Sequence, residues 1–232
     1  MIDAGFTVTV PWRTTPTRAP LFEALTNWYK EHMGLDIFAY DSPQVTDDLH
    51  KHQRHFNTAA SRNYCVEQSP TEIVVINDAD TIPNKDALIE AIEYVKRTGQ
   101  TCLPYTRYNI VNYEATRKYL DGEAISPRSC TIYAPAVGGI LVTTKTMWNL
   151  HNGQDERMFG WGYQDTAWHT AYETLIGEMH RIDGDIYSLT HKLAERGANI
   201  ANNRSHFQRY LNAKGNIDAM ASLVSGNRLP RN

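Results

Sequence analysis

Two carboxylates two residues apart, Asp78 and Asp80, follow directly on four apolar β-formers, Ile73 to Ile76, in the stretch EIVVINDADTIPN (72–84). Such a continuous apolar run predicts a buried central strand of a parallel sheet. Both carboxylates then leave the strand's carboxyl end, which is where open α/β sheets bind ligands. Like charges this close repel each other. An oxygen-liganded divalent cation that also carries a diphosphate would relieve that repulsion. The same residues could instead cap the next helix and shape its turn. The spacing alone leaves both readings open.

Two more chemical groups stand further along the chain. Asp165 closes the segment GWGYQD (160–165) and opens an amphipathic helical pattern over 164–175. A carboxylate in a first helical turn is favoured by the dipole, whatever else it does. His191 follows an expected strand over 185–189, with His180 as a second histidine in the same region. His50, His52 and His55 are spaced too irregularly for a ligand set and read as a solvated connection.

The elements that must position these groups alternate. Phe6–Val10 reads as a strand that breaks at Pro11, and a helix is expected over about 18–33. A second strand follows at Asp36–Tyr40, then a helix over Asn57–Gln68. Asn84 is expected to cap a helix reaching about Lys96, and Thr101–Tyr105 reads as another strand. This order predicts a doubly wound, mostly parallel sheet. Residues 106–130, polar and rich in tyrosine, read as a loop or helix near a site. Ala134–Thr144 reads as an apolar strand opened by Gly138-Gly139, where the backbone must approach a strand or a ligand closely. The tail carries one helical pattern over 205–223, and 228–232 reads as frayed. Neither G-x-G-x-x-G nor a P-loop is present.

Composition narrows the class. The 232 residues are 41% hydrophobic and 21% charged, as in an ordinary globular protein, and are enough for one full core. A net charge of −3 lacks the basic bias of a duplex-tracking nucleic-acid binder. Three scattered cysteines, Cys65, Cys102 and Cys130, suit buried thiols in a reducing compartment better than disulfides or zinc. The start of the chain shows no signal-peptide pattern and no run reaches membrane-spanning length, so a cytoplasmic protein without membrane attachment is expected.

Taken together, the motifs resemble the GT-A-fold, nucleotide-sugar-dependent glycosyltransferases, closest to the β-1,4-galactosyltransferase and polypeptide N-acetylgalactosaminyltransferase pattern. Pro11-Trp12-Arg13 with Arg18 resembles the family's P-x-R loop. Asp41 falls where an acidic or polar residue meets the uridine, and Phe56-Asn57 with Arg62-Asn63 resembles the helix that faces the nucleotide. Asp78-Ala79-Asp80 matches the D-x-D (DXD) motif. Gly138-Gly139 matches the G-G opening the acceptor half. Asn152-Gly153, Asp155-Glu156 and Phe159-Gly160-Trp161-Gly162 resemble the family's N-G-x-x-E … G-W-G segment. His191 resembles the late metal histidine. One departure is Gln164-Asp165, where the family has Glu-Asp or Glu-Asn.

The resemblance implies a single GT-A domain over 1–232: a nucleotide-sugar half (1–105), an acceptor half with a smaller mixed sheet (106–200) and a helical tail (201–232). It implies a donor site of Pro11, Arg13, Asp41, Arg62, Asn63, Asp78 and Asp80. It implies an acceptor site of Gly139, Trp161, Gly162, Gln164 and Asp165. Asp80 and His191, with Asp78, would hold manganese, magnesium also being permitted, and His180 is the runner-up ligand. Asp165 would be the base of an inverting transfer from a UDP-sugar to a glycan, protein or modified-nucleobase hydroxyl. Trp161 would be a sugar platform or, alternatively, core packing between its glycines. Competing functions are an inactive nucleotide-sugar or glycan-binding module and a metal-dependent phosphoesterase, for which only Asp86 adds a nearby carboxylate.

Overall fold

The computed structural model describes residues 5–42, 56–134, 136–191 and 199–231. His50, His52 and His55 lie outside the described residues. The first half alternates as expected: β1 (Phe6–Pro11), α1 (Ala19–Met33), β2 (Phe38–Tyr40), α2 (Thr58–Gln68), β3 (Ile73–Asn77), β4 (Thr81–Pro83), α3 (Lys85–Thr98) and β5 (Cys102–Leu103). Asn57 and Asn84 cap α2 and α3, each accepting from the backbone N–H three residues on. Val74, Val75 and Ile76 are buried, so β3 has no solvent face.

The second half comprises β6 (Arg107–Val111), α4 (Tyr113–Leu120), β7 (Cys130–Tyr133), β8 (Ile140–Thr144), α5 (Lys145–Leu150), α6 (Gln164–Leu175), β9 (His180–Arg181), β10 (Asp185–Leu189), α7 (Ile200–Ala213) and α8 (Ile217–Val224). A six-stranded sheet runs β2-β1-β3-β8-β5-β9, and a four-stranded mixed sheet runs β4-β10-β6-β7. Helix α2 packs against β1, β2 and β3, while α3 packs against β3, β5 and β8.

Three expectations need correction, while the large sheet is mostly parallel as expected: β2-β1, β1-β3 and β5-β9 pair parallel, and β8 is antiparallel to both β3 and β5. That reversal brings the start of β8, and Gly138-Gly139 before it, to the edge where β3 ends; the Asp78 N–H donates to the Gly139 carbonyl at 2.7 Å. Residues 106–130 are not only loop and helix, since RYNIV (107–111) forms β6 at the heart of the small sheet. The tail forms two helices, α7 and α8, because Gly215 turns left-handed (φ +79°) and Asn216 starts a new cap. Residues 228–231 are not frayed: Arg228 and Arg231 pair with Glu67 and with the buried Glu156.

Cys65 and Cys102 are buried free thiols, and burial pushes each up to about 12. Cys130 is half-buried.

Candidate functional site

The carboxyl ends of β1, β2 and β3 and the start of β8 share one edge of the large sheet. The chain passes from β3 through Asp78-Ala79-Asp80 directly into β4, which pairs antiparallel with β10 in the register Thr81↔Ser188. The Leu189 N–H donates to the Asp80 carbonyl at 2.8 Å, which fixes the end of β10 beside Asp80. Two residues on, the His191 imidazole Nε2 lies 2.9 Å from Asp80 Oδ2, with both side chains 15% exposed. Arg18 Nη2 approaches the same carboxylate at 3.6 Å. Burial pushes the Asp80 carboxyl up, but the His191 hydrogen bond and the Arg18 charge outweigh it and hold it below its ordinary value.

Neither D-x-D carboxylate caps a helix; Asn84 does that, so the turn-shaping alternative is set aside for the side chains. Asp78 Oδ1 instead accepts from Arg62 Nη2 at 2.7 Å. Arg62 comes from α2, is 3% exposed, and donates through Nη1 to Asp165 Oδ1 as well. A buried guanidinium is tolerable only when its charge is met, and here two carboxylates from distant segments meet it. Burial opposes the charge on Arg62, yet Asp165 and Asp78 hold it protonated above its usual range. Burial raises the Asp78 carboxyl despite Arg62, with Asp165 and Asp80 adding like-charge repulsion.

Asp165 owes its position to a sharp entry into α6. Gly160, Gly162 and Tyr163 are all left-handed (φ +70°, +111° and +71°), and a non-glycine residue held there is strained. Tyr163 is steadied by stacking on Phe207 at 5.3 Å. The Asp165 side chain is 34% exposed. Its Oδ2 lies over Gly138, where an added Cβ would come within 2.6 Å of that oxygen. The close approach implied by Gly138 is thus to a carboxylate. For Gly139 (φ +87°) it is to the Tyr108 ring, 2.9 Å from a built Cβ.

Several expected residues hold the site rather than face it. Asn63 is fully buried; its amide donates to the Gln154 carbonyl and to Glu156 Oε1, and its oxygen accepts from Trp148 Nε1. It is therefore not available to a nucleotide. Pro11 is buried as the last residue of β1. The Gln164 amide donates to the Gly160 carbonyl at 2.7 Å, so it closes its own loop. Gly162 leaves room for Ile200 of α7. Arg13 pairs with Asp41 at 2.8 Å at the mouth of the edge, beside the Phe56 ring. Trp161 is 57% exposed, which excludes core packing as its role. His180 stacks on Tyr94 at 4.1 Å on the β9 edge strand, and His191 is the histidine beside Asp80.

Two contributors carried no sequence signal. Gln154 is fully buried and touches both Arg62 and Asp165. Asn203 of α7 donates to the Phe159 and Gly162 carbonyls, pinning the tryptophan loop from the tail. Both are neutral amides, Gln154 at an unspecified position of the N-G-x-x-E segment and Asn203 outside every motif.

Among the described residues no three His, Cys, Asp or Glu side chains form a ready metal cage, and Asp86 is an exposed residue in the first turn of α3. Asp80 with His191 does fit a divalent cation in its donor chemistry: one carboxylate held ionised and one imidazole, adjacent and partly open. A ligand's own oxygens would have to complete such a set. Among the described residues no helix is long and apolar enough to cross a membrane.

Residues 41–158, half of the chain, match the family model of glycosyl transferase family 2. No curated protein matches the chain. Among solved structures, the chain is similar to a Drosophila β-1,4-galactosyltransferase 7 mutant in complex with manganese, UDP-Gal and xylobiose: TM-score 0.52, 16% identity, 84% of this chain and 74% of that one. It is similar to GalNAc-T7 with UDP, GalNAc and Mn2+ at TM-score 0.62 and 7% identity, over 97% of this chain but 55% of that one. S. aureus TarS gives TM-score 0.52 and 12% identity, over 80% of this chain and 36% of that one. At these identities the likeness is one of fold, the GT-A fold.

Proposed function

The chain belongs to glycosyl transferase family 2, and we propose that it moves a sugar from a UDP-sugar to an acceptor hydroxyl with inversion, Asp165 serving as base. The observation that carries this reading is the edge itself: one buried arginine, Arg62, joins a partly exposed Asp165 to Asp78, and the Asp80–His191 pair stands two residues on from Asp78. A lone pair of carboxylates would be ambiguous. An ion-binding pair and a separate carboxylate match the two halves of the reaction.

In the transfer, the acceptor oxygen attacks the anomeric carbon and its proton passes to Asp165. The bond from that carbon to the diphosphate breaks, and the leaving oxygen takes the electron pair. Asp165 is suited to the proton because Oδ2 accepts no hydrogen bond among the described residues, while Oδ1 accepts two. Asp80 and His191 would hold a divalent cation, manganese being the best match to a mixed imidazole and carboxylate set. Bound there, it supplies positive charge to the departing diphosphate. Arg13 and Arg18 line the same edge, and a guanidinium fork suits phosphate oxygens. Asp41 and Asp78 are assigned to the nucleoside, and Trp161 offers an apolar face to a sugar ring.

The neighbours' contents support the donor and metal: one holds UDP-Gal with manganese and another UDP with Mn2+. The acceptor class stays broad, a glycan or another hydroxyl-bearing molecule. The test is release of UDP from a panel of UDP-sugars with manganese, with and without sugar acceptors. Turnover that requires Asp165 supports the reading; UDP-sugars left intact under every condition contradict it.

A further inference from the structure

We propose that Gln154 is a positioning residue for the base: it locks the Asp165 carboxylate so that Oδ2 alone is offered to the acceptor hydroxyl. The inference rests on the reading of Asp165 as base. The Gln154 backbone is fixed on both sides by one side chain, with its N–H donating to Asn63 Oδ1 at 2.9 Å and its carbonyl accepting from Asn63 Nδ2 at 2.8 Å. Its side chain is fully buried between Arg62 and Asp165.

The orientation of the amide follows from the chemistry of its neighbours. A guanidinium only donates, so the Gln154 oxygen must face Arg62, whose Nη1 lies 3.3 Å away. The amide nitrogen then faces Asp165 and donates to Oδ1 at 3.0 Å. Oδ1 thus accepts from both Arg62 and Gln154, two groups held by the core. Donors from two directions on one oxygen restrain the carboxylate from swinging. Its other oxygen, over the open backbone of Gly138, is left with its lone pairs unused among the described residues. Arg62 alone would hold the charge but not the rotation of the group, because it is shared with Asp78.

Gln154→Met separates this role from simple packing. The variant keeps the shape and stays neutral, but it has no N–H to give Asp165. Gln154→Leu likewise keeps bulk without the N–H. Both are compared with Asp165→Asn, reading kcat, donor KM, UDP affinity and thermal midpoint. Positioning predicts that both Gln154 variants lose about ten- to a hundredfold in kcat, as expected for a displaced catalytic group, while donor KM and UDP affinity stay at wild-type values. Wild-type kcat in Gln154→Met overturns the proposal, as does a loss appearing equally in donor affinity. If one variant does not fold, the other reads the same kcat. Full turnover in Asp165→Asn would remove the base reading and the proposal together. An inactive Asp165→Asn beside a fully active Gln154→Met removes the positioning role alone.

Discussion

The Asp80 carboxylate and the His191 imidazole lie 2.9 Å apart although 111 residues separate them in the chain. Their meeting is a consequence of strand pairing: β4 begins just after Asp80, β10 ends just before His191, and the two run antiparallel. The small sheet therefore acts as the clasp that closes the candidate ion site against the large sheet.

If one cation is shared by this pair, removing either ligand should remove the same binding energy. Asp80→Asn and His191→Ala are each expected to weaken manganese-dependent UDP binding. The double variant should bind little worse than either single, as residues acting through one partner are strongly non-additive. Titration calorimetry of the three variants measures this; strictly additive losses would show that the two side chains serve different partners.

Asp165→Asn should lower turnover by about 10²–10⁴-fold, the scale of general-base catalysis. UDP affinity should hold, because Arg62 keeps its bond to Asp78 at 2.7 Å. Turnover within a fewfold of wild type would place the base elsewhere or point to a retaining route.

Gly138→Ala is a steric test of the same carboxylate. The new methyl would sit 2.6 Å from Asp165 Oδ2, and the end of a side chain yields more readily than backbone does. Gly138 is not left-handed, so the backbone tolerates alanine. The expected outcome is a drop in kcat with little change in thermal midpoint. A large loss of stability with kcat intact in the folded fraction would mean that Asp165 is not what moves.

Much of this site was readable in the chain, for reasons that show where reading stops. The run Ile73–Ile76 could only be a buried strand, and Asp78 and Asp80 could only leave its end. Gln164–Leu175 was legible as a helix from its periodicity, and the structure gives the same bounds. Partners across the sheet were not legible, since the direction of β8 depends on long-range pairing that local pattern does not encode. RYNIV concealed β6 because Arg107 and Asn109 bond to Asp185 within the small sheet, so their polarity suggested a loop. Gln154 and Asn203 were invisible because a neutral amide gives no signal until its neighbours are known. Arg62 reads from the sequence as a nucleotide-facing residue; that it joins Asp78 to Asp165 follows only from the fold.

Low pH should weaken the fold through His151. It is fully buried among Trp148, Trp168 and Tyr172, and burial lowers its pKa to about 4. The unfolded chain, with an ordinary value near 6.5, binds that proton first. Stability from this group is therefore complete above about pH 6.5 and declines as pH falls toward about 4, by about 3 kcal/mol in all. His151→Gln, which can still accept from Trp168, should flatten the decline of the urea midpoint across that window. An unchanged slope would assign the acid sensitivity to other groups.

The most direct measurement is calorimetric titration of the wild-type protein with UDP, with and without manganese, and with GDP as comparison. A nucleotide-sugar transferase built on Asp80 and His191 should bind UDP only when manganese is present and discriminate against GDP. UDP binding of equal strength without manganese, or none in either condition, would contradict the reading of this edge as a metal-assisted UDP-sugar site.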